Sequence, residues 1–302
     1  MSHAVVLTEL GRPDVLQPAQ ITVAAPGPTQ IRIKARLAGV GPTDLAIRSG
    51  ALKAFPAPPG TVLGFETAGV VESVGNDVDS VSVGDDVVAF LPGLGGYADL
   101  VLADLWVRKP RQVGWEDAAA LPASGEAAVR VLNQLAVTAS DSLLVLGGTG
   151  SVGTIATQLA VARGARVIAA VRRKDFAAVE RLGATPVEYG PGLVAAVRAV
   201  GTVDAVVDAA TGADLAAAVE IAGGPARVVT LSNHSAAEHG VRLSGPDRDP
   251  ARATAALQEA MDRLAAGGLA LRPRTTLPLD EAAVAHARLE AGERTKFLLA
   301  TT

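Results

Sequence analysis

The sequence predicts an α/β protein of two domains, one a β-rich antiparallel barrel and the other a doubly wound parallel sheet. Three observations predict it. The chain has 302 residues, long enough for two cores at about 150 residues per domain. Before roughly residue 120, short Val/Ile-rich runs alternate with Gly/Pro turns such as GNDVDSVSVGD, the pattern of antiparallel strands. Further on, short apolar runs alternate with Ala-rich helical segments of about ten residues, the pattern of βαβ units.

In the first domain, strands are expected at 31–33, 69–74, 86–90 and 98–101, and helices follow at 116–121 and 126–134. The second texture reads as strands at 143–146, 166–171, 186–188, 203–208 and 227–231. Helices at 152–163, 176–182, 193–200, 213–221 and 251–266 accompany them. A strand-like stretch at 296–300 is expected to rejoin the first domain. The expected domains are therefore 1–122 with 269–302, and 123–268.

Composition narrows the function classes. The net charge is −4, and the only basic cluster is Arg172-Arg173-Lys174, which gives no field for gripping a nucleic acid. No window approaches the roughly 18 uncharged apolar residues of a membrane span. The start, MSHAVVLTEL, has no basic segment followed by an apolar one, so a cytoplasmic location is expected. Cysteine is absent, which removes disulfides, thiolate nucleophiles and cysteine-ligated zinc. The four histidines, His3, His234, His239 and His286, show no pairing at metal-ligand spacing, and no dedicated metal site is expected.

The apolar run LLVL at 143–146 leads into Gly147-Gly-Thr-Gly150-Ser-Val-Gly153 and then into the helical run TIATQLAVARGA. A helix start offers backbone N–H groups and a partial positive charge to a pyrophosphate, and glycine lets the phosphates approach. Gly147, Gly150, Ser151, Val152 and Gly153 are the candidate dinucleotide contacts; the competing reading is a plain βα turn with extra glycines. At the end of the next strand an acidic side chain favours a ribose 2′-hydroxyl and a basic one a 2′-phosphate. Arg172, Arg173 and Lys174 stand there, which favours NADPH over NADH, with a solvated basic cluster before a helix, next to Asp175, as the alternative.

Together with Gly64-Phe-Glu-Thr-Ala-Gly-Val-Val71, Gly95-Gly-Tyr-Ala98, Ala120-Leu-Pro122, the stretch 227–232 and LEAGERTKFLLA at 289–300, this loop resembles the medium-chain dehydrogenase/reductase superfamily, in its zinc-independent quinone oxidoreductase branch. The resemblance implies a GroES-like catalytic domain, a Rossmann NADPH-binding domain and a homodimer. It also implies hydride transfer to a small-molecule quinone or α,β-unsaturated carbonyl (enone). It places Lys174 and Tyr189 at the adenosine 2′-phosphate, Asp208 by the nicotinamide ribose, and Leu231, Ser232 and Asn233 beside the nicotinamide. Thr43 takes the position of a proton-relaying hydroxyl, against a turn hydroxyl bonding its own backbone. His234 is the other candidate proton donor, against an exposed loop histidine.

The chain departs from the family pattern. Zinc ligands are replaced in Gly41-Pro-Thr-Asp44 and Gly64-Phe-Glu66, and Gly41, Ala46 and Ala127 stand where the zinc-free branch has Asn, Tyr and Thr. Asp44 and Glu66 are expected to be structural partners, and Trp106 and Trp115 packing residues. Tyr97 is either packing or a tyrosine facing the substrate, and Lys296 either an ion-pair or a substrate residue. Two rival functions stay open: an enoyl or ene reductase of a biosynthetic pathway, and an NADPH-binding sensor or scaffold without turnover.

Overall fold

The computed structural model describes every residue except Ala54, Arg248 and Thr302. It divides into two compact units, Met1–Ala123 with Arg272–Thr302, and Ser124–Leu271.

In chain order the elements are β1 (Ser2–Leu7), β2 (Leu16–Ile21), β3 (Ile31–Gly39), α1 (Pro42–Arg48), β4 (Glu66–Val74), β5 (Asp86–Phe90), β6 (Leu100–Ala103), β7 (Leu105–Arg108), α2 (Trp115–Ala119) and α3 (Pro122–Gln134). They continue as β8 (Ser142–Leu146), α4 (Ser151–Ala162), β9 (Arg166–Val171), α5 (Phe176–Arg181), β10 (Thr185–Glu188), α6 (Leu193–Val200), β11 (Ala205–Asp208), α7 (Leu215–Ala222), β12 (Val228–Thr230) and β13 (Arg242–Leu243). The chain ends with α8 (Pro250–Ala265), β14 (Arg274–Pro278), α9 (Ala282–Glu290) and β15 (Lys296–Ala300).

The first unit is built on a sheet of order β14-β15-β3-β4-β5-β7, with β6 also paired to β3 and a separate β1-β2 pair. Alternation along β3 buries Ile31, Ile33 and Ala35 against Val71, Val87, Ala89 and Val101. Register shifts between β3 and β4 flank Ile33–Ala35, and Gly69 is required there, because a Cβ on it would lie 2.2 Å from the Lys34 carbonyl oxygen. The expected antiparallel barrel is corrected in one respect: β15 pairs antiparallel with β3 but parallel with β14, so the returning C-terminal chain makes the sheet mixed.

The second unit is a parallel sheet of order β10-β9-β8-β11-β12-β13. β8 is buried along its whole length, as befits a continuous apolar run covered on both faces. Leu144, Leu146, Ile168, Val206 and Val228 form the core on one side. The chain winds outward from β8 through β9 to β10, then returns to place β11 on the other side of β8. The order therefore reverses between β8 and β11, where doubly wound sheets open a crevice at the carboxyl ends of their strands.

Sequence reading missed β1, β2, α1, β7, β13, β14 and α9. The last carries a buried polar contact. His286, fully buried on α9, meets the Tyr97 hydroxyl through Nε2 at 3.1 Å, and the two rings stand edge to face at 5.9 Å. Tyr97 is 0% exposed, which settles it as an interior residue. Burial, and then the nearby Arg48 guanidinium, lower the His286 pKa to about 3.

Because the folded pKa lies below that of an unfolded histidine, this group contributes stability that is fully present above about pH 6.5 and is lost as pH falls toward 3, by about 1.4 kcal/mol per unit. His286→Gln, which keeps an acceptor for Tyr97, should flatten that acid limb while lowering stability at pH 8; urea midpoints measured from pH 8 to 4 check this.

Candidate functional site

The site starts where β8 ends. Gly147 takes a left-handed φ of 77°, and its carbonyl accepts the N–H of Gly150 at 2.8 Å, which closes the turn into α4. A Cβ on Gly153 would lie 2.2 Å from that same carbonyl oxygen, and one on Gly148 would lie 2.7 Å from the Ala169 Cβ. Glycine at 148 and 153 thus lets the helix seat directly on β8 and β9. Gly150, the residue before α4, has no side chain to bond first-turn N–H groups. The helix start, with Ser151 and Val152 half-buried, is left suited to an anion.

Beside it, β9 ends at Val171 and the chain turns out through Arg172, Arg173 and Lys174, all exposed. Arg173 lies 5.5 Å over the Phe176 ring and 3.9 Å from Glu188. Arg172 and Lys174 have no ion-pair partner among the described residues. The Tyr189 N–H donates to the Val171 carbonyl at 2.9 Å, which brings that tyrosine to the same strand end. Its ring is 40% exposed, and its hydroxyl donates to the Gly212 carbonyl at 3.3 Å.

Across the sheet, Asp208 at the end of β11 is fully buried. Its carboxylate accepts the Thr230 hydroxyl at 2.7 Å and the Ala210 N–H at 3.0 Å, and burial pushes its pKa up. Asn233 donates to the Ala213 carbonyl at 3.0 Å and accepts the Ser235 hydroxyl at 2.8 Å, while the Ser232 hydroxyl donates to the Ala210 carbonyl at 3.1 Å. The side chains of Asp208 and Asn233, read from sequence as ligand contacts, are thus committed to the protein. The surface they support is the main chain of 209–213 and 231–234. His234 is exposed and Leu231 half-buried on this loop.

The first unit holds the remaining candidates. Thr43 is exposed at the second position of α1, and its hydroxyl bonds no backbone group among the described residues. Asp44 accepts the N–H of Gly41 at 2.8 Å and of Gly64 at 3.0 Å. Burial pushes its pKa up to about 7 against those two bonds and Lys296. Glu66 accepts the Ala123 N–H at 2.8 Å and pairs with Lys296, whose ammonium also bonds the Val40 carbonyl at 3.0 Å. Lys296 is therefore an ion-pair residue. Arg36 and Lys109 each lie over the Trp115 ring, 4.6 Å from its centroid, and Trp106 packs on the β core.

These residues do not fit a zinc ion: no cysteine exists, and the Asp44 and Glu66 carboxylates are occupied by backbone N–H groups and an ammonium. Sequence reading missed Thr230 and His286. Thr230 had a faint signal, a lone polar residue closing an apolar strand.

The fold and site define an α/β dinucleotide-binding type of protein with an added β-rich domain. Residues 27–110 match the alcohol dehydrogenase GroES-like domain, and residues 182–295 match the zinc-binding dehydrogenase family. Quinone oxidoreductase of Mus musculus is 36% identical over 172 residues, 56% of this chain and 52% of that protein. 2-Methylene-furan-3-one reductase of Solanum lycopersicum is 36% identical over 165 residues, 51% of this chain and 42% of that protein. The chain thus spans about half the length of the curated relatives it matches. A mycobacterial protein solved in complex with NADPH aligns over 100% of both chains with a TM-score of 0.84 and 28% identity. In its two domains and in these relatives the chain is similar to the medium-chain dehydrogenase/reductase superfamily, and in particular to quinone oxidoreductases.

Lys296→Met leaves the Glu66 carboxylate buried without its cation and should cost about 3–5 kcal/mol. The double change with Glu66→Gln should recover part of that loss, as read from urea unfolding of both variants.

Proposed function

We propose that this chain is a zinc-independent, NADPH-dependent oxidoreductase that reduces a small-molecule quinone or enone. The observation that carries this reading is the glycine-lined start of α4 beside the exposed cations at the end of β9. A pyrophosphate suits the helix start, and a 2′-phosphate suits Arg172, Arg173, Lys174 and Tyr189. The nicotinamide half then runs toward β11 and β12, where 209–213 and 231–234 wall the crevice. Bound NADPH supplies the hydride. The chain's residues orient the acceptor, exclude water and deliver a proton, with Thr43 and His234 as the exposed donors.

The relatives' chemistry supports this reading: one is a quinone oxidoreductase, one reduces a conjugated furanone, and one binds NADPH. The furanone reductase also supports the ene-reductase variant, in which the C=C bond takes a hydride and a proton to give a saturated ketone. A second reading, NADPH binding without turnover, draws on Gly41, Ala46 and Ala127, which bring no side-chain hydroxyl or amide. The protein is proposed to act in the cytoplasm as a homodimer. The open sheet edge at β13, with Leu243 45% exposed, supports the dimer.

NADPH oxidation should be stimulated by members of a panel of quinones and enones. Stimulation by none overturns the reductase reading, and tight NADPH binding without oxidation favours the second one. Arg172→Ala and Lys174→Ala should each raise KM for NADPH by roughly tenfold, about 1.4 kcal/mol, and leave KM for NADH unchanged. Steady-state kinetics with both cofactors checks this.

A further inference from the structure

Thr230 and Asp208 are the last residues of β12 and β11, directly opposite one another in the parallel register, and both are 0% exposed. Their hydrogen bond at 2.7 Å fixes both loops that leave these strands. On one side the Asp208 carboxylate also accepts the Ala210 N–H at 3.0 Å, which sets the start of 209–213. On the other, the Thr230 oxygen accepts the Asn233 N–H at 3.1 Å, which sets the turn at 231–234. Further out, Ser232 bonds the Ala210 carbonyl and Asn233 the Ala213 carbonyl, so the two loops are cross-braced along their length. Tyr189 bonds the Gly212 carbonyl from the β10 side.

We propose that Thr230 is a positioning residue for the nicotinamide half of the cofactor. Its hydroxyl, through Asp208, holds 209–213 and 231–234 together as one preformed wall. The inference rests on the cofactor reading above and deepens it. Without the hydroxyl, one oxygen of a buried carboxylate loses its partner and the Asn233 N–H loses its acceptor, and both groups relax by moving the loops. Valine keeps the shape and the strand preference of threonine, so the sheet core is little disturbed. On that reading the adenosine half meets Arg172, Arg173 and Lys174, none of which bonds the Asp208–Thr230 pair or its loops, and among the described residues the Tyr189–Gly212 bond is the one link from that side to the brace.

The test compares NADPH with adenosine 2′,5′-bisphosphate as ligands of the full chain, by isothermal titration. Thr230→Val should weaken NADPH roughly ten- to a hundredfold while changing the bisphosphate less than about twofold, and Thr230→Ser should restore NADPH binding. Ser232→Ala, an exposed change that leaves folding intact, should show a smaller loss with the same split. NADPH binding unchanged in Thr230→Val, or equal losses for both ligands, overturns the inference. If Thr230→Val does not fold, unchanged binding by Ser232→Ala overturns it. If the unsubstituted chain fails to bind NADPH, the cofactor reading falls and takes the inference with it; if it binds and the variants match it, only the inference falls.

Discussion

The second unit depends on one close approach, that of the Gly147 carbonyl to the backbone of Gly153, where a Cβ would stand 2.2 Å away. No other residue type allows α4 to begin this close to the end of β8. Once it does, the sheet register does the rest. Leu146 lies opposite Ala170 on one side and Asp208 on the other, so the ends of β9 and β11 come level with the helix start. The exposed cations after β9 and the braced loops after β11 and β12 then flank one electropositive point. Their spacing follows from strand pairing and needs no contact between them.

The first unit is governed by a different constraint, charge taken out of water. Glu66, Lys296, Asp44 and Arg48 are all nearly or fully buried, and each such group is costly unless hydrogen-bonded. Glu66 meets this by accepting the Ala123 N–H and pairing with Lys296, which in turn bonds the Val40 carbonyl. The pair joins the end of β3, the start of β4, β15 and the first turn of α3. Gly41 and Phe65 stand where the resemblance would put zinc ligands, and the neighbouring Glu66 carboxylate is neutralised by the Lys296 ammonium.

What was legible in the sequence follows the range of the forces involved. β5, β9, α6 and β15 match their expected bounds, since each is an apolar or periodic run whose fate is decided locally. β2 was not legible, because LQPAQI is half exposed, carries Pro18 and becomes a strand only by pairing with β1. β13 is two exposed residues recruited by β12. The glycine loop could be read because its requirement is local backbone geometry. The orientation of Asp208 and Asn233 could not: their partners Thr230 and Ala213 lie 22 and 20 residues away, and only the parallel register brings them together.

That register bears on the chemistry of the proposed reaction. A metal stabilises negative charge on the acceptor oxygen as it forms, and a donor side chain does so more weakly. This chain has neither at Gly41, Ala46 or Ala127, and Ala127 is itself buried. An acceptor that is already electron-poor needs little such help, but it still has to meet the hydride donor at the right distance and angle. The requirement then shifts from stabilising charge to holding geometry. Geometry is what the buried Asp208–Thr230 pair and its cross-braced loops provide, at the carboxyl ends of β11 and β12. On the proposed function, a chain with glycine and alanine at 41, 46 and 127 depends the more on the rigidity of these loops.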